Sequence, residues 1–348
     1  MMDKVKIVGL GYSNPPYCYD QKIIFNSLGY SHHFWKIFED SKIEHRYFSV
    51  PLDELKELSF QHQQEQYSEW AFKLSAEAME RTISTGEMKE IGLLSFSSCT
   101  GFAPGPTVGH FLADRFHLQD VEICNLSGLG CEGSFPGLRR CYDYTKVTGK
   151  PSVAIACELS SLGYFPEYFG KPDPENDYEL LRAAAIFGDG CSVALIGSDD
   201  NPNHPEILDF ATVMDTSYLG KLGFVWRNGR LRVRLSKDVP KIAVELATRA
   251  ILKLLGRNSL MVPDISYWIF HPPGAIVLDK LQEYFHLTDD NMKYSRQVLT
   301  EMGNCSSSTV GIVGAYLMRD EPNPQGYAIM VNVGPGMVSN VCLMQFGN

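Results

Sequence analysis

The sequence predicts an α/β protein built from two copies of one unit, and three observations carry that expectation. The 348 residues are 44% hydrophobic and 21% charged, which is the composition of a globular chain with about two core-forming units. Short apolar runs alternate with longer amphipathic stretches, as strands alternate with helices. A spacing also recurs: Cys131 opens a small-residue loop 32 positions after Cys99, and Asn304 opens another 33 positions after His271.

Taken in order, KIVG (Lys6–Gly9) is a short apolar run and reads as the first strand. Gln64–Thr85 follows as an amphipathic helix, with Tyr67, Trp70, Ala71, Leu74 and Ala78 recurring at helical spacing. The apolar segments Gly92–Ser97 and Glu122–Asn125 read as strands on either side of a helix at Thr107–Phe116. Phe135–Lys146 is the helix after the Cys131 loop, and the runs Ser152–Cys157 and Cys191–Ile196 are strands. The second half follows the same plan, with a helix at Val239–Leu255, a strand at Tyr267–Phe270 and helices at Ile276–Phe285 and Thr309–Met318. Strands at Ala328–Val333 and Asn340–Gln345 complete it. The succession VAIACE, FGDG, CSVALIG in the first half parallels YAIMVNV, GPG, SNVCLMQF in the second. The expected units are therefore residues 1–200, carrying the cysteine, and 201–348, carrying the histidine and asparagine.

Several function classes are disfavoured. Asp3, Lys4 and Lys6 leave too short an apolar start for a secretory signal, and no stretch approaches the ~18 uninterrupted apolar residues of a membrane span. Nine scattered cysteines without a C-x-x-C pair favour neither a disulfide framework nor a metal site, so a reduced, cytoplasmic setting is expected. A formal net charge of −10 argues against nucleic acid or anionic membrane as the main partner.

Cys131, His271 in WIFHPPG and Asn304 in EMGNCSSSTV supply a thiol, an imidazole and an amide on three separate loops. A thiol at the first turn of a helix and near an imidazolium is expected to have its pKa lowered, which would favour the nucleophilic thiolate. It would then take an acyl group from a thioester, with the small neighbours in GLGCEG leaving room for backbone donors to the acyl oxygen. His271 and Asn304 as neutral donors could hold a second carbonyl and stabilise an enolate. The less specific readings are a buried small cysteine, a histidine that ends a strand before Pro272-Pro273-Gly274, and an asparagine that caps a helix. A cysteine hydrolase uses the same three residue types, although no papain-like C-G-x-C-W environment is present.

From IEHRYFSVPLDEL through SSCTGFAPG, GLGCEG, ACELSSL, AAAIFGDGCSVALIGSD, LRVRLSKDVP, WIFHPPGAIVLD and SRQVLTEMGNCSSSTV to NVGPGMVSN, the chain resembles a type III polyketide synthase of the chalcone- and stilbene-synthase-like branch. The resemblance implies the thiolase-like fold, a five-layered αβαβα duplication. It implies Cys131 as nucleophile, His271 and Asn304 as the decarboxylation and oxyanion pair, Phe187 as an aromatic gatekeeper, and Ser306 beside the asparagine. It further implies acyl-coenzyme A and malonyl-coenzyme A as substrates, no separate cofactor or metal, and a homodimer. The implied reaction loads an acyl starter on Cys131 and extends it by decarboxylative Claisen condensation, with release by cyclisation or hydrolysis.

Several positions depart from the family pattern. Val233 stands where a second aromatic gatekeeper is usual, which by side-chain size would widen the cavity toward larger or fatty starters. Lys36 alone remains of three basic residues that commonly hold coenzyme A phosphates, with His33 and Asp40 in the other places, so a carrier-protein substrate is an alternative donor. Gly334 and Gly336 bracket Pro335 in a variant of the loop on the cavity floor, and the loop at Ala103-Pro104 is shortened. Glu132 would oppose thiolate formation if it pointed inward, and Pro136 removes a helical N–H. The alternatives to repeated extension are a ketoacyl-synthase-like single condensation, a non-extending partner subunit and a thioester hydrolase.

Overall fold

The computed structural model describes residues 4–347 apart from 56, 102–104, 165–176 and 228–229, so the expected shortening at Ala103-Pro104 lies outside the described residues. The first part of the chain runs β1 (Lys6–Ser13), β2 (Tyr17–Asp20), α1 (Gln21–Leu28), α2 (Trp35–Glu39), β3 (His45–Phe48), α3 (Leu52–Leu55), α4 (Phe60–Thr82), α5 (Thr85–Glu90), β4 (Leu93–Ser98), α6 (Val108–Arg115) and β5 (Glu122–Ser127). It continues with α7 (Ser134–Thr148), β6 (Ser152–Leu159), α8 (Ser160–Tyr164), α9 (Asp177–Ile186) and β7 (Asp189–Gly197). The remainder is β8 (Glu206–Met214), β9 (Leu222–Arg227), β10 (Arg230–Leu235), α10 (Val239–Arg257), β11 (Ile265–Phe270), α11 (Ala275–Phe285), α12 (Asp289–Met302), α13 (Thr309–Asp320), β12 (Gly326–Gly334) and β13 (Val338–Phe346).

Every strand and helix expected from the sequence is present, and the boundaries that move do so for local reasons. Ser59 accepts a hydrogen bond from the His62 N–H, which starts α4 earlier than Gln64. Ser84 and Glu87 form a capping box that opens α5, so α4 stops at Thr82 and not at Thr85. The β2–β3 pair, the β9–β10 hairpin, strand β8 and helices α1, α2, α3, α5, α8, α9 and α12 were not anticipated. Charges interrupt the apolar run of β8, yet Glu206 pairs with Lys4 at 3.1 Å and Asp209 with Arg257 at 2.7 Å, so both charges are compensated. The α12 sequence is largely polar and is held at its start by the Thr288–Asn291 capping box.

The nine-stranded sheet has the order β11-β12-β13-β8-β1-β7-β6-β4-β5. Read outward from the β1–β8 junction, a single bridge between Lys6 and Glu206, the two sides repeat each other. On one side β1 pairs antiparallel with β7, β7 antiparallel with β6, and β6 parallel with β4. On the other, β8, β13, β12 and β11 follow with the same directions. Strand β5 has no counterpart in the second copy among the described residues.

Helix α4 covers the outer face of β1, β6 and β7, and α10 covers the outer face of β8, β12 and β13. Between the half-sheets lie α7 and α13. The buried residues Phe135, Leu138 and Cys141 of α7 pack in one cluster with Val310, Ile312 and Val313 of α13 and with Met330, Cys342 and Met344 of the second half. The order α4, half-sheet, α7 with α13, half-sheet, α10 gives the five layers of the duplicated thiolase fold. The same symmetry puts Cys99 and His271 just past equivalent strands, and Cys131 and Asn304 just before equivalent helices.

Candidate active site

Cys131 is buried in a single 3-10 turn, Gly130–Glu132, one residue ahead of α7 and not in the first turn of that helix. Gly130 permits this turn in two ways: its φ is +60°, and a Cβ there would come within 2.4 Å of the Pro335 ring. Gly334 approaches equally closely, since a Cβ on it would lie 2.7 Å from the Glu132 nitrogen. The turn is held from the second half of the chain. The Asn332 amide donates to the carbonyls of Cys131 at 3.4 Å and Glu132 at 3.2 Å. The Glu132 carboxylate accepts from Asn340 at 2.9 Å, and Asn340 in turn accepts from Thr212 at 2.7 Å. Glu132 is therefore committed to the junction between halves.

His271 follows β11, and its backbone N–H donates to Val331 at 2.8 Å, one residue before the Asn332 that clasps the cysteine turn. Its ring is buried, and neither nitrogen has a hydrogen-bond partner among the described residues. A buried imidazole with both nitrogens unsatisfied marks a place where a ligand atom belongs. Asn304 forms an isolated parallel bridge with Phe187: its N–H donates to the Ile186 carbonyl at 2.8 Å, and its own carbonyl accepts from Gly188 at 3.1 Å. Its side-chain oxygen accepts from the Ser306 N–H at 2.8 Å, which fixes that end as the oxygen and leaves the NH2 end as the donor. Ser306, at φ +52°, donates its hydroxyl to the Cys131 sulfur at 3.6 Å.

The electrostatics correct one expectation. Burial pushes the Cys131 thiol up to about 12, with the Ser306 hydrogen bond as the main opposing influence. Burial also lowers His271 to about 3, so the ring is neutral and supplies no imidazolium to draw out a thiolate. With the sulfur outside the helix and the carboxylates Glu158 and Glu132 acting against ionisation, the ligand-free protein holds Cys131 as a thiol and His271 as a neutral imidazole.

Cys131, Phe187 and Asn304 line one cavity of about 290 Å³. Its walls are mostly apolar, from Ile186, Leu222, Leu235, Val277 and Val333, and it reaches solvent at Asp40 and Lys237, with Arg182 nearby. His271, Ser306, Gly334 and Gly336 are not among the residues that line it. Lys36 does not line the cavity; it is exposed and pairs with Asp40 at 2.8 Å and Glu39 at 3.2 Å. Val233 is also absent from the lining, packed in a small cluster with Cys131, Ala183 and Phe187.

Three buried groups behind the site escaped sequence reasoning. Glu158 accepts from the Cys99 N–H and the Thr100 hydroxyl, each at 3.0 Å, and from Ser307, tying the end of β4 to the Asn304 loop. Arg46 donates to the carbonyls of Ala184 at 2.6 Å and Phe187 at 2.8 Å beneath the Phe187–Asn304 bridge, and burial lowers its pKa to about 9. Asp189 accepts from the N–H groups of Ser49 and Ser161. Glu158 follows the apolar run VAIAC, whereas Arg46 lies in the polar IEHRY and Asp189 between two glycines, and none of these contexts reveals which partners converge.

Residues 221–346 match the family model described as chalcone and stilbene synthases, C-terminal domain. The chain is 25% identical over 316 residues to a 1,3,6,8-tetrahydroxynaphthalene synthase of Streptomyces griseus, covering 88% of this chain and 82% of that protein. It is 30% identical over 240 residues to type III polyketide synthase 21 of Oryza sativa, covering 65% and 59% respectively. The crystal structure of PKS-I from the brown alga Ectocarpus siliculosus superposes with a TM-score of 0.87 at 21% identity, covering 99% of both chains.

Proposed function

The chain is a type III polyketide synthase of the chalcone- and stilbene-synthase-like branch, a condensing acyltransferase, and on that premise we propose roles for its site residues. The Cys131 sulfur attacks the carbonyl carbon of an acyl-coenzyme A. Its proton leaves with the departing coenzyme A thiol, and the acyl group stays as a Cys131 thioester. Malonyl-coenzyme A then enters with its thioester oxygen between the His271 ring and the Asn304 NH2. As the carboxylate leaves as carbon dioxide, the electrons of the broken carbon–carbon bond pass to the α-carbon as an enolate, which these two neutral donors stabilise. The enolate carbon attacks the Cys131 thioester and the sulfur departs as thiolate, which takes a proton from water to restore the thiol, leaving a β-ketoacyl-coenzyme A two carbons longer that can reload.

The observation that supports this reading most is that His271 has two buried, unsatisfied nitrogens while a cavity shared by Cys131 and Asn304 opens beside its strand. The apolar wall suits an acyl chain and a pantetheine arm, and Arg182 and Lys237 near the mouth suit the anionic end of coenzyme A better than the neutralised Lys36. We extend the proposal to a cytoplasmic homodimer joined at β5, a partly exposed edge strand whose outer backbone groups are open to a second copy. Light scattering that reports a monomer would remove that part. No described helix is long and apolar enough to cross a membrane.

Incubation with acyl-coenzyme A thioesters followed by intact mass should show a single acyl adduct, lost in Cys131→Ala. Carbon dioxide release from malonyl-coenzyme A should fall about a hundredfold or more in His271→Ala and in Asn304→Ala, as for removal of an oxyanion donor. Unchanged release in both variants would refute the assignment of the pair. Giving the same acyl group on coenzyme A and on an acyl carrier protein distinguishes the two donors.

A further inference from the structure

We propose that Arg46, on β3, is a positioning residue for the decarboxylation half of the reaction, acting through the Phe187–Asn304 bridge to hold the Asn304 amide in place. Helix α9 ends at Ile186, so the carbonyls of its last turn lack partners within the helix. The Gly188 N–H stands where it would continue the helix onto the Ala184 carbonyl, four residues back. It donates instead to the Asn304 carbonyl at 3.1 Å. Arg46 takes the vacated place: its Nη1 donates to the Ala184 carbonyl at 2.6 Å and to the Phe187 carbonyl at 2.8 Å. The other two guanidinium nitrogens have no hydrogen-bond partner among the described residues. The polar end of this fully buried side chain is thus given over to the end of α9.

The stem of Arg46 touches the other side of the same bridge. A Cβ on Gly303, the residue before Asn304, would lie 2.8 Å from the Ile186 carbonyl and 3.0 Å from Cγ and Cδ of Arg46. A Cβ on Gly188 would meet the Met302 carbonyl at 2.6 Å. The two segments and the arginine therefore pack with no room for further side chains. Strand β3 is itself anchored beyond the bridge, where the Ser49 N–H donates to Asp189 at 2.8 Å. With Arg46 in place, Asn304 is held at its N–H by the Ile186 carbonyl and at its carbonyl by Gly188. Without that donor the Ala184 carbonyl is a buried acceptor lacking a partner, and the Gly188 N–H is drawn back to it, away from Asn304. The Cys131 turn takes its backbone hydrogen bonds from Asn332, so loss of Arg46 affects the two half-reactions unequally.

The role rests on the decarboxylation assigned above to His271 and Asn304, and the two fail differently. Cys131 loading from acetyl-coenzyme A, followed by intact mass, and carbon dioxide release from malonyl-coenzyme A are measured side by side for the protein, Arg46→Met and Arg46→Lys. Methionine keeps the packing against Gly303 and removes the donor, whereas lysine keeps a donor. In Arg46→Met, loading should stay within about twofold while release falls about tenfold or more, the scale of a misplaced positioning group. Arg46→Lys should return release to within about threefold of the original, because one nitrogen serves both carbonyls. Loading and release that fall together in Arg46→Met, release that does not fall, or release as low in Arg46→Lys as in Arg46→Met would each overturn the role of Arg46. If circular dichroism shows Arg46→Met unfolded, Arg46→Gln, whose shorter amide does not span both carbonyls, replaces it with the same deciding outcomes. Neither loading nor release in the unmutated protein would defeat the acyl-transfer reading itself.

Discussion

At the scale of single residues, burial decides more of the chemistry than neighbouring charge does. Cys131 was legible as the reactive sulfur from its glycine-rich loop, but its protonation state was not, because desolvation depends on what surrounds the turn in three dimensions. Alkylation requires thiolate, and with the thiol pushed up to about 12, labelling of Cys131 by iodoacetamide in the ligand-free protein should rise about tenfold per pH unit from 7 to 10. A rate that levels off below pH 8 would mean that an ion pair with His271 forms after all. Arg46 shows the converse limit of sequence reading. It lies far from the Phe187–Asn304 bridge in sequence, yet its guanidinium satisfies two carbonyls of the segment carrying Phe187. Arg46→Ala should lower unfolding free energy by about 3 kcal/mol in urea titrations, the scale for losing charged hydrogen bonds and leaving buried acceptors unpaired. A change below about 1 kcal/mol would show that water replaces it.

At the scale of elements, the turn at Gly130–Glu132 matters more than the helix that follows it. The glycine-rich character of the loop was visible, whereas its reason, a left-handed φ and the close passage of Pro335, required the partner loop from the other half. Gly130→Ala should destabilise the fold by about 2 kcal/mol, combining the cost of a left-handed alanine with crowding against Pro335. It should also slow Cys131 loading in whatever fraction remains folded, and loading at the original rate would show that the turn adjusts freely. The β9–β10 hairpin illustrates a different limit of sequence reading. Val233 considered alone suggested a wider cavity, and only the cross-strand register showed that Phe224 stands opposite it.

At the scale of the molecule, the two halves share a central layer and stitch the nucleophile between them. Glu132 comes from the first half and Asn332, Asn340 and Thr212 from the second, so the site exists only when both are folded. Unfolding followed by far-ultraviolet circular dichroism and by tryptophan fluorescence should give coincident transitions, and Glu132→Ala should move both by about 2 kcal/mol. Two separated transitions would indicate halves that fold independently. Much of this architecture was determined by the sequence itself: the alternation of strand and helix, the repeated spacing around Cys99, Cys131, His271 and Asn304, and the motifs of the family. These are local patterns, set by side-chain periodicity and turn chemistry along the chain. What only the tertiary structure decided is the neutral state of the thiol and imidazole, the commitment of Glu132 to the junction between halves and the clamp made by Arg46. Each depends on desolvation or on contact between residues far apart in the chain, which no local pattern encodes.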